Sequence, residues 1–438
     1  MQKKIGVAVA SAVGLGAIIG AGIFVLSGTA IAFAGAYALV AFVIVGALAL
    51  IIALELGELG SLLPFVKGAS YSYTYKALGS ELGFITGMLR YMALATSIGA
   101  IALGFGSYLS SFLGLTLATY AIPSAIALIF VLSIVNMFGV RKAAETDFVL
   151  VVVKIAVLLA FIGFAFYEAI TNPNIAFANV SFNVPTGVWS GIFAASVAVF
   201  FAYSGFQSIS TITDRIKGGA KGYVKAILAA VLISITLYVL VVFAMMTLLP
   251  ASQYGITADP LSFALRHAGA PSWLFTIVDL GAMVATASAT IAMILTASRS
   301  LYQMSEDRLL PKFLRRYNKR TDAAVNGIII SAAIGVLILF AGNIYVIAAI
   351  SNFGLMFDYM LINFDVVHYR MRGVKAPFRT PLYPYLPMAS VVLLFILFTG
   401  MPQEALIIGV VMIISLIGIY YTLREIRRKK VIRIKLFD

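Results

Sequence analysis

The sequence predicts an all-α integral membrane protein of twelve transmembrane helices. Three observations carry this: an extreme apolar content, a series of long apolar runs, and basic residues gathered on one side of those runs. Of 438 residues, 62% are hydrophobic and 11% charged, where a soluble domain carries about 25% charged residues. Mean hydropathy is +1.04. No single core buries that much apolar surface, so lipid must be the solvent for most of it.

A bilayer core about 30 Å thick takes about 20 apolar residues of helix. Runs of that kind lie near 5–33, 37–63, 83–112, 119–138, 146–170 and 188–213, then near 224–249, 272–303, 326–341, 344–366, 385–400 and 404–423. Short Pro, Gly and Asn turns separate most of them. Only Gly342 and Asn343 divide the ninth from the tenth. Met1–Lys4 before an apolar run imitates a signal peptide. The run far exceeds an h-region of about 7–15 residues, so it reads as a retained membrane helix.

The net charge of +14 would suggest nucleic acid in a soluble chain. Here position explains it. Lys3 and Lys4 precede the first span, Lys67 and Lys76 follow the second, and Arg141 and Lys142 the fourth. Arg215, Lys217, Lys221 and Lys225 follow the sixth. Arg299, Arg308, Lys312, Arg315, Arg316, Lys319 and Arg320 surround the end of the eighth. Arg370, Arg372, Lys375 and Arg379 follow the tenth, and the tail holds Arg424, Arg427, Arg428, Lys429, Lys430, Arg433 and Lys435. Of the 31 Lys and Arg, only Arg90, Lys154 and Arg266 fall elsewhere. The positive-inside rule then puts both termini in the cytoplasm, requires an even number of spans, and makes this a multi-pass protein of the cell membrane. The basic tail also suits contact with anionic lipid. No nucleic-acid partner is needed.

Function classes narrow quickly. There is no cysteine, which excludes disulfides and thiolate metal sites. His267 and His368 lie far apart in loop-like stretches. A membrane enzyme would need a nucleophile–base pair or a metal cluster, and the carboxylates do not recur at paired spacing. No stretch reads as a channel filter. No metal or other cofactor is implied, and a transporter of small molecules remains.

The first span reads GLGAIIGAGIF over 14–24, with Gly14, Gly16, Gly20 and Gly22. Glycine costs a helix interior up to about 1 kcal/mol relative to alanine. Close helix packing of the small-xxx-small kind accounts for Gly16 and Gly20 alone. The sixth span, however, reads FFAYSGFQS over 200–208. Spans 1 and 6 are equivalent if the first ten spans form two repeats of five, over residues 1–170 and 188–370, with helices 11 and 12 and the basic tail in 380–438. Five being odd, the second repeat is inverted. Glycine-interrupted segments at matching places in two halves point to a transport site. Unwinding at mid-membrane frees N–H and C=O groups, each costing several kcal/mol if left bare. Half-helix N-termini favour an anion and C-terminal carbonyls a cation; an amino acid zwitterion carries both.

At these residues the chain resembles the amino acid–polyamine–organocation (APC) transporters, with the LeuT-type five-plus-five inverted-repeat fold and broken helices 1 and 6. Gly20-Ala21-Gly22-Ile23-Phe24 resembles the family's G-[SA]-G-I-F signature, and ALELGELGSLLP (53–64) its A-L-x-Y-x-E-L…P run, with Glu58 at the acidic position. KGASYSYTYKALG (67–79), FAYSGFQS (201–208) and SRSLYQMSEDRLLP (298–311) resemble three further segments, in order. The resemblance implies a substrate carboxylate on the N–H groups of Ala21 and Gly22, near Ile23, and an ammonium facing the carbonyls of Ile18, Phe201 and Ser204, with Gly20 and Gly205 in the breaks. Phe201 matches an aromatic that closes over the substrate; the plainer reading is a core or lipid-facing ring. It also implies that spans 1, 2, 6 and 7 rock against spans 3, 4, 8 and 9. The chain departs from the family at Gln207, where an acid is frequent, at DRIKGGAKG (214–222), and at Glu306-Asp307-Arg308.

Lys154 stands among apolar neighbours in FVLVVVKIAVLLAF (148–161). An intramembrane charge is by default a functional hypothesis; snorkelling to the interface is the alternative. By resemblance, its ammonium stands where sodium-coupled relatives bind Na⁺, near Gly16. A lysine there can release and take up a proton during a cycle, which makes the proton the coupling ion. Thr286 and Ser288 offer hydroxyls towards this point, or else hydrogen-bond the preceding turn. Glu55, Glu58, Arg90 and Lys154 suggest an inner polar cluster, with a structural or gating pair between Glu58 and Arg90. Asp279 and Asp358 read as solvated or paired.

The resulting expectation is a proton-coupled secondary transporter of amino acids. An exchanger, with Lys154 purely structural, and a polyamine or organocation carrier are the alternatives. Gln207 and the apolar surroundings favour neutral substrates.

Overall fold

The computed structural model describes residues 5–63, 70–138, 143–182, 184, 187–207, 209 and 216–435. Helices account for nearly all of them. The first predicted span is two helices, α1 (Val7–Ile18) and α2 (Ala21–Ala34), with Ile19 and Gly20 between. The second and third are α3 (Ala38–Leu62) and α5 (Ser80–Phe112), joined by the short α4 (Ser70–Leu78). The fourth and fifth are α6 (Leu117–Phe138) and α7 (Ala143–Thr171). After α8 (Pro173–Asn179), the sixth opens as α9 (Val188–Tyr203) and stops at Ser204.

The second half continues with α10 (Gly219–Leu248), the short α11 (Pro260–His267) and α12 (Ser272–Glu306). A two-residue antiparallel pair, β1 (Tyr317–Asn318) and β2 (Ala323–Ala324), leads into α13 (Val325–Leu337). Then come α14 (Ile344–Met371), α15 (Tyr385–Phe398) and α16 (Gln403–Lys435). The narrow Gly342-Asn343 boundary holds because Asn343 caps α14: its side chain accepts from the Val346 N–H at 3.0 Å, satisfying one donor that a helix start leaves open. His267 ends α11 and His368 lies in the last turn of α14, so neither is in a loop. Among the described residues, no group of three potential metal ligands converges.

Eight helical runs of the described residues are long and apolar enough to cross a membrane, and four shorter apolar helices join them. Two of the short ones, α1 and α9, are the broken halves. At 1.5 Å per residue, neither spans a bilayer alone. The helices pack as two groups. In one, α1, α2, α3, α9 and α10 lie against each other; in the other, α5, α6, α12 and α13 do. α14 touches both, through α5 on one side and α3 and α9 on the other. Burial follows this plan. α5 and α14 are enclosed, whereas α6, α7, α15 and α16 present large apolar side chains outward, among them Phe130, Phe138, Phe395 and Ile414. Lipid takes the place of a second protein layer on those faces.

Candidate transport site

The two interruptions meet in space. After α1, Ile19 turns out of the helix (φ −74°, ψ 63°) and Gly20 reverses the path (φ −96°, ψ −142°) before α2 restarts at Ala21. After α9, Ser204 is extended and Gly205 takes φ +116°, a conformation that glycine adopts without strain. A Cβ on Gly205 would lie 2.4 Å from the Ala17 carbonyl oxygen, and one on Gly22 would lie 2.2 Å from Ala202 Cα. The glycines are therefore what lets the two broken segments touch.

The freed backbone groups divide into satisfied and open ones. Ile18 O accepts from Gly20 N–H at 2.7 Å and from the Tyr238 hydroxyl at 2.8 Å. Phe201 O accepts from Ser204 N–H at 3.2 Å and Ser204 Oγ at 2.7 Å. Those two carbonyls, expected to face an ammonium, already carry two donors each in this conformation. The N–H groups of Ala21, Gly22 and Ile23 begin α2 with no side-chain cap at Gly20, so a helix start leaves them unpaired. They are the open donors that an anionic group would meet.

A cavity of about 210 Å³ runs beside the breaks, lined by Gly16, Ala17, Arg90, Lys154, Gly205, Gln207 and Ser288, with the apolar Val13, Leu94 and Met293. It is smaller than the roughly 300–1,000 Å³ of drug-sized pockets, which suits a small solute. Gly20, Ala21, Gly22, Ile23, Phe201 and Ser204 border the breaks without lining it. Phe201 is buried, as a core ring is. A second cavity of about 590 Å³, lined by Tyr75, Glu81, Asp307, Arg308, Tyr420 and Arg424, includes none of the break residues.

Lys154 on α7 is 1% exposed, and its Nζ donates to Gly16 O at 3.3 Å. Its stem does not carry the charge to the surface. The ammonium sits at the C-terminal end of α1, where the last carbonyls present partial negative charge. Ser288 Oγ donates to Ala285 O at 2.9 Å and Thr286 Oγ1 to Ala282 O at 2.7 Å, both within α12; only Ser288 also lines the cavity.

The remaining charges do not form one cluster, and Glu58 does not pair with Arg90. Arg90 Nη1 lies 3.1 Å from Asp358 Oδ2 and donates to Ser70 Oγ at 2.9 Å. Glu58 receives Arg370 through Nε at 2.6 Å and Nη2 at 2.8 Å, and Thr380 N–H at 2.7 Å. Helix neighbours decide this. α5 packs against α14, while the last turns of α3 meet the end of α14 and the segment after it. Glu55 is fully buried, and neither carboxylate oxygen has a hydrogen-bond partner. Gln207 Oε1 accepts from Tyr359 Oη at 2.7 Å and Gly205 N–H at 3.2 Å. Asp279, at the other end, holds Arg266 at 2.8 Å.

Glu58 is buried and Arg370 partly so, so removing one partner is expected to cost about 1–3 kcal/mol. A double-mutant cycle on thermal stability in detergent, using Glu58→Gln and Arg370→Gln, should return a coupling energy of about 0.5–3 kcal/mol. The same cycle between positions 58 and 90 should return none.

A family model described as amino acid permease matches residues 10–429. The chain belongs to the amino acid permease family. The permease is 28% identical over 417 residues to the branched-chain amino acid permease BcaP of Bacillus subtilis (strain 168), covering 91% of this chain and 87% of that one. It is 28% identical to a methylthioribose transporter of the same organism, over 86% of this chain and 84% of that one. It is 30% identical to the vacuolar cationic amino acid transporter 4 of Arabidopsis thaliana, over 77% of this chain and 58% of that one. The crystal structure of an Eremococcus coleocola manganese transporter mutant shares the fold, with a TM-score of 0.56 at 17% identity, covering 96% and 95% of the two chains. The permease is thus a nearly all-helical membrane protein with the APC/LeuT-type fold, and its family is that of amino acid permeases.

Sequence reasoning missed Ala17, Tyr238 and Arg370; it read Asp358 as solvated or paired, and Asp358 pairs with Arg90. Ala17 lies inside the glycine-rich stretch, and its place opposite Gly205 depends on three-dimensional pairing. Tyr238, one of three aromatics in α10, gave no signal. Arg370 was absorbed into the topology count.

Proposed function

We propose that the permease is a secondary active transporter of neutral amino acids, coupled to protons through Lys154 and working by alternating access. The observation that carries this is a small cavity at the two breaks, lined by Gly16, Ala17 and Gly205, that holds a buried ammonium on Gly16 close in sequence to the uncapped start of α2. In this reading, the substrate carboxylate binds at the start of α2. The Ile18 and Phe201 carbonyls take the ammonium once their present donors move. Gly205 and Ser288 line the pocket, with Ser204 at the break beside it. Among the described residues lining the cavity, Lys154 is the side chain proposed to exchange a proton.

Rocking of the α1/α2/α3/α9/α10 group against α5/α6/α12/α13 exposes the site to each side in turn. The first ten spans act as inverted repeats over 1–170 and 188–370, with 380–438 added. The basic face is cytoplasmic, in the cell membrane, with both termini on it. The branched-chain relatives favour apolar side chains as cargo. The test is radiolabelled leucine uptake into proteoliposomes, with a competition panel and imposed pH or Na⁺ gradients. Accumulation driven by an inward proton gradient, inhibited by neutral amino acids, is expected. Uptake only into vesicles preloaded with substrate would mark an exchanger instead, and no competition by any amino acid would end this reading.

A further inference from the structure

Every charged side chain that lines the site cavity is a cation: Arg90 and Lys154, among the described residues. No carboxylate of the described residues lines it. The nearest acid to Arg90 is Asp358, behind it on α14, fully buried with Oδ2 shared between Arg90 and Ser70 and Oδ1 without a hydrogen-bond partner. Arg90 thus stands between the cavity and a buried carboxylate. A cargo side chain entering the cavity meets positive charge first, in surroundings where water screens little.

We propose that Arg90, held by Asp358, is the specificity residue that excludes amino acids with cationic side chains. This rests on the reading of the cavity as an amino acid site. The Arg90 guanidinium does two things: it repels a second cation, and it neutralises the carboxylate that would otherwise attract one. Its removal reverses both effects together. Specificity of this kind comes from a repulsive element as much as from attractive ones.

Norleucine and lysine make the comparison cleanly, since lysine is norleucine with an added ε-ammonium. With the wild-type protein in proteoliposomes, norleucine should compete with labelled leucine, and lysine should need at least about 100-fold more, as expected when a buried site leaves a charge uncompensated. With Arg90→Gln, which bares Asp358, that penalty should shrink at least about tenfold. With Arg90→Gln/Asp358→Asn, no bare carboxylate remains, and the penalty should shrink less than in the single variant. Lysine competing as well as norleucine in the wild type overturns the proposal without any variant. So does an undiminished penalty in a folded Arg90→Gln protein. Failure of both amino acids to compete would instead strike the underlying transport reading.

Discussion

Lys154→Ala is expected to abolish accumulation driven by a proton gradient. Three features combine at this residue. Its ammonium is buried at 1% exposure, it donates to Gly16 O at 3.3 Å, and it lines the cavity. α7, which carries it, packs on α1 and α10 of one helix group and on α12 of the other. A charge at that seam interacts differently with the two groups as they move. A loss of the proton weakens its hold on the end of α1, which is the coupling that a driven cycle requires. Truncation also leaves a buried carbonyl short of a donor, a penalty of about 1–3 kcal/mol. The measurement is leucine accumulation in proteoliposomes at imposed pH gradients, beside leucine counterflow without a gradient. The variant should fall to background in the first and keep part of the second. Full, pH-dependent accumulation by Lys154→Ala would remove the residue from the mechanism.

How much of this was legible in the sequence depends on the range of the interaction. The expected spans follow apolar run length, which lipid enforces locally, and most of their ends lie within a few residues of the helices observed, except that the sixth stops at Tyr203 instead of running on to 213 and the twelfth continues to Lys435 instead of ending near 423. The break in the first span was legible because Gly20 and Gly22 interrupt it. The contact of Lys154 with Gly16 was reached through family resemblance, since apolar spacing alone places a lysine at a depth and not against a partner. Charge pairing was legible only in part. Glu58 and Arg90 are opposite in sign and similar in depth, but they sit on α3 and α5, and α14 intervenes with Asp358 for one and Arg370 for the other. Depth can be counted along a sequence; azimuth around a bundle depends on how every helix packs. The same limit hid Tyr238, whose hydroxyl lies within hydrogen-bond distance of Ile18 O and Ala202 O and so ties the two breaks together.

The second large effect is expected at Gly22. Gly22→Ala should eliminate transport and lower stability, because the added Cβ would stand 2.2 Å from Ala202 Cα and 2.8 Å from Ala202 N, where ordinary contact begins at 3.4 Å. Backbone atoms cannot rotate aside as the end of a flexible side chain does, so α2 and α9 must separate. Overpacking of this kind costs about 1–3 kcal/mol, and separation shifts the N–H groups of Ala21, Gly22 and Ile23 away from the α9 break. Gly20→Ala is the contrasting case. Its Cβ would meet Ala17 O and Ala289 Cβ at 3.6 Å, an ordinary contact, so the fold should survive with a melting temperature near that of the unaltered protein. Thermal melts in detergent and leucine uptake, measured on both variants, separate the two effects. A Gly22→Ala protein as stable and as active as the unaltered one would mean that α2 and α9 do not approach this closely. The reason for glycine at the first break would then have to lie in the chain's path at Gly20.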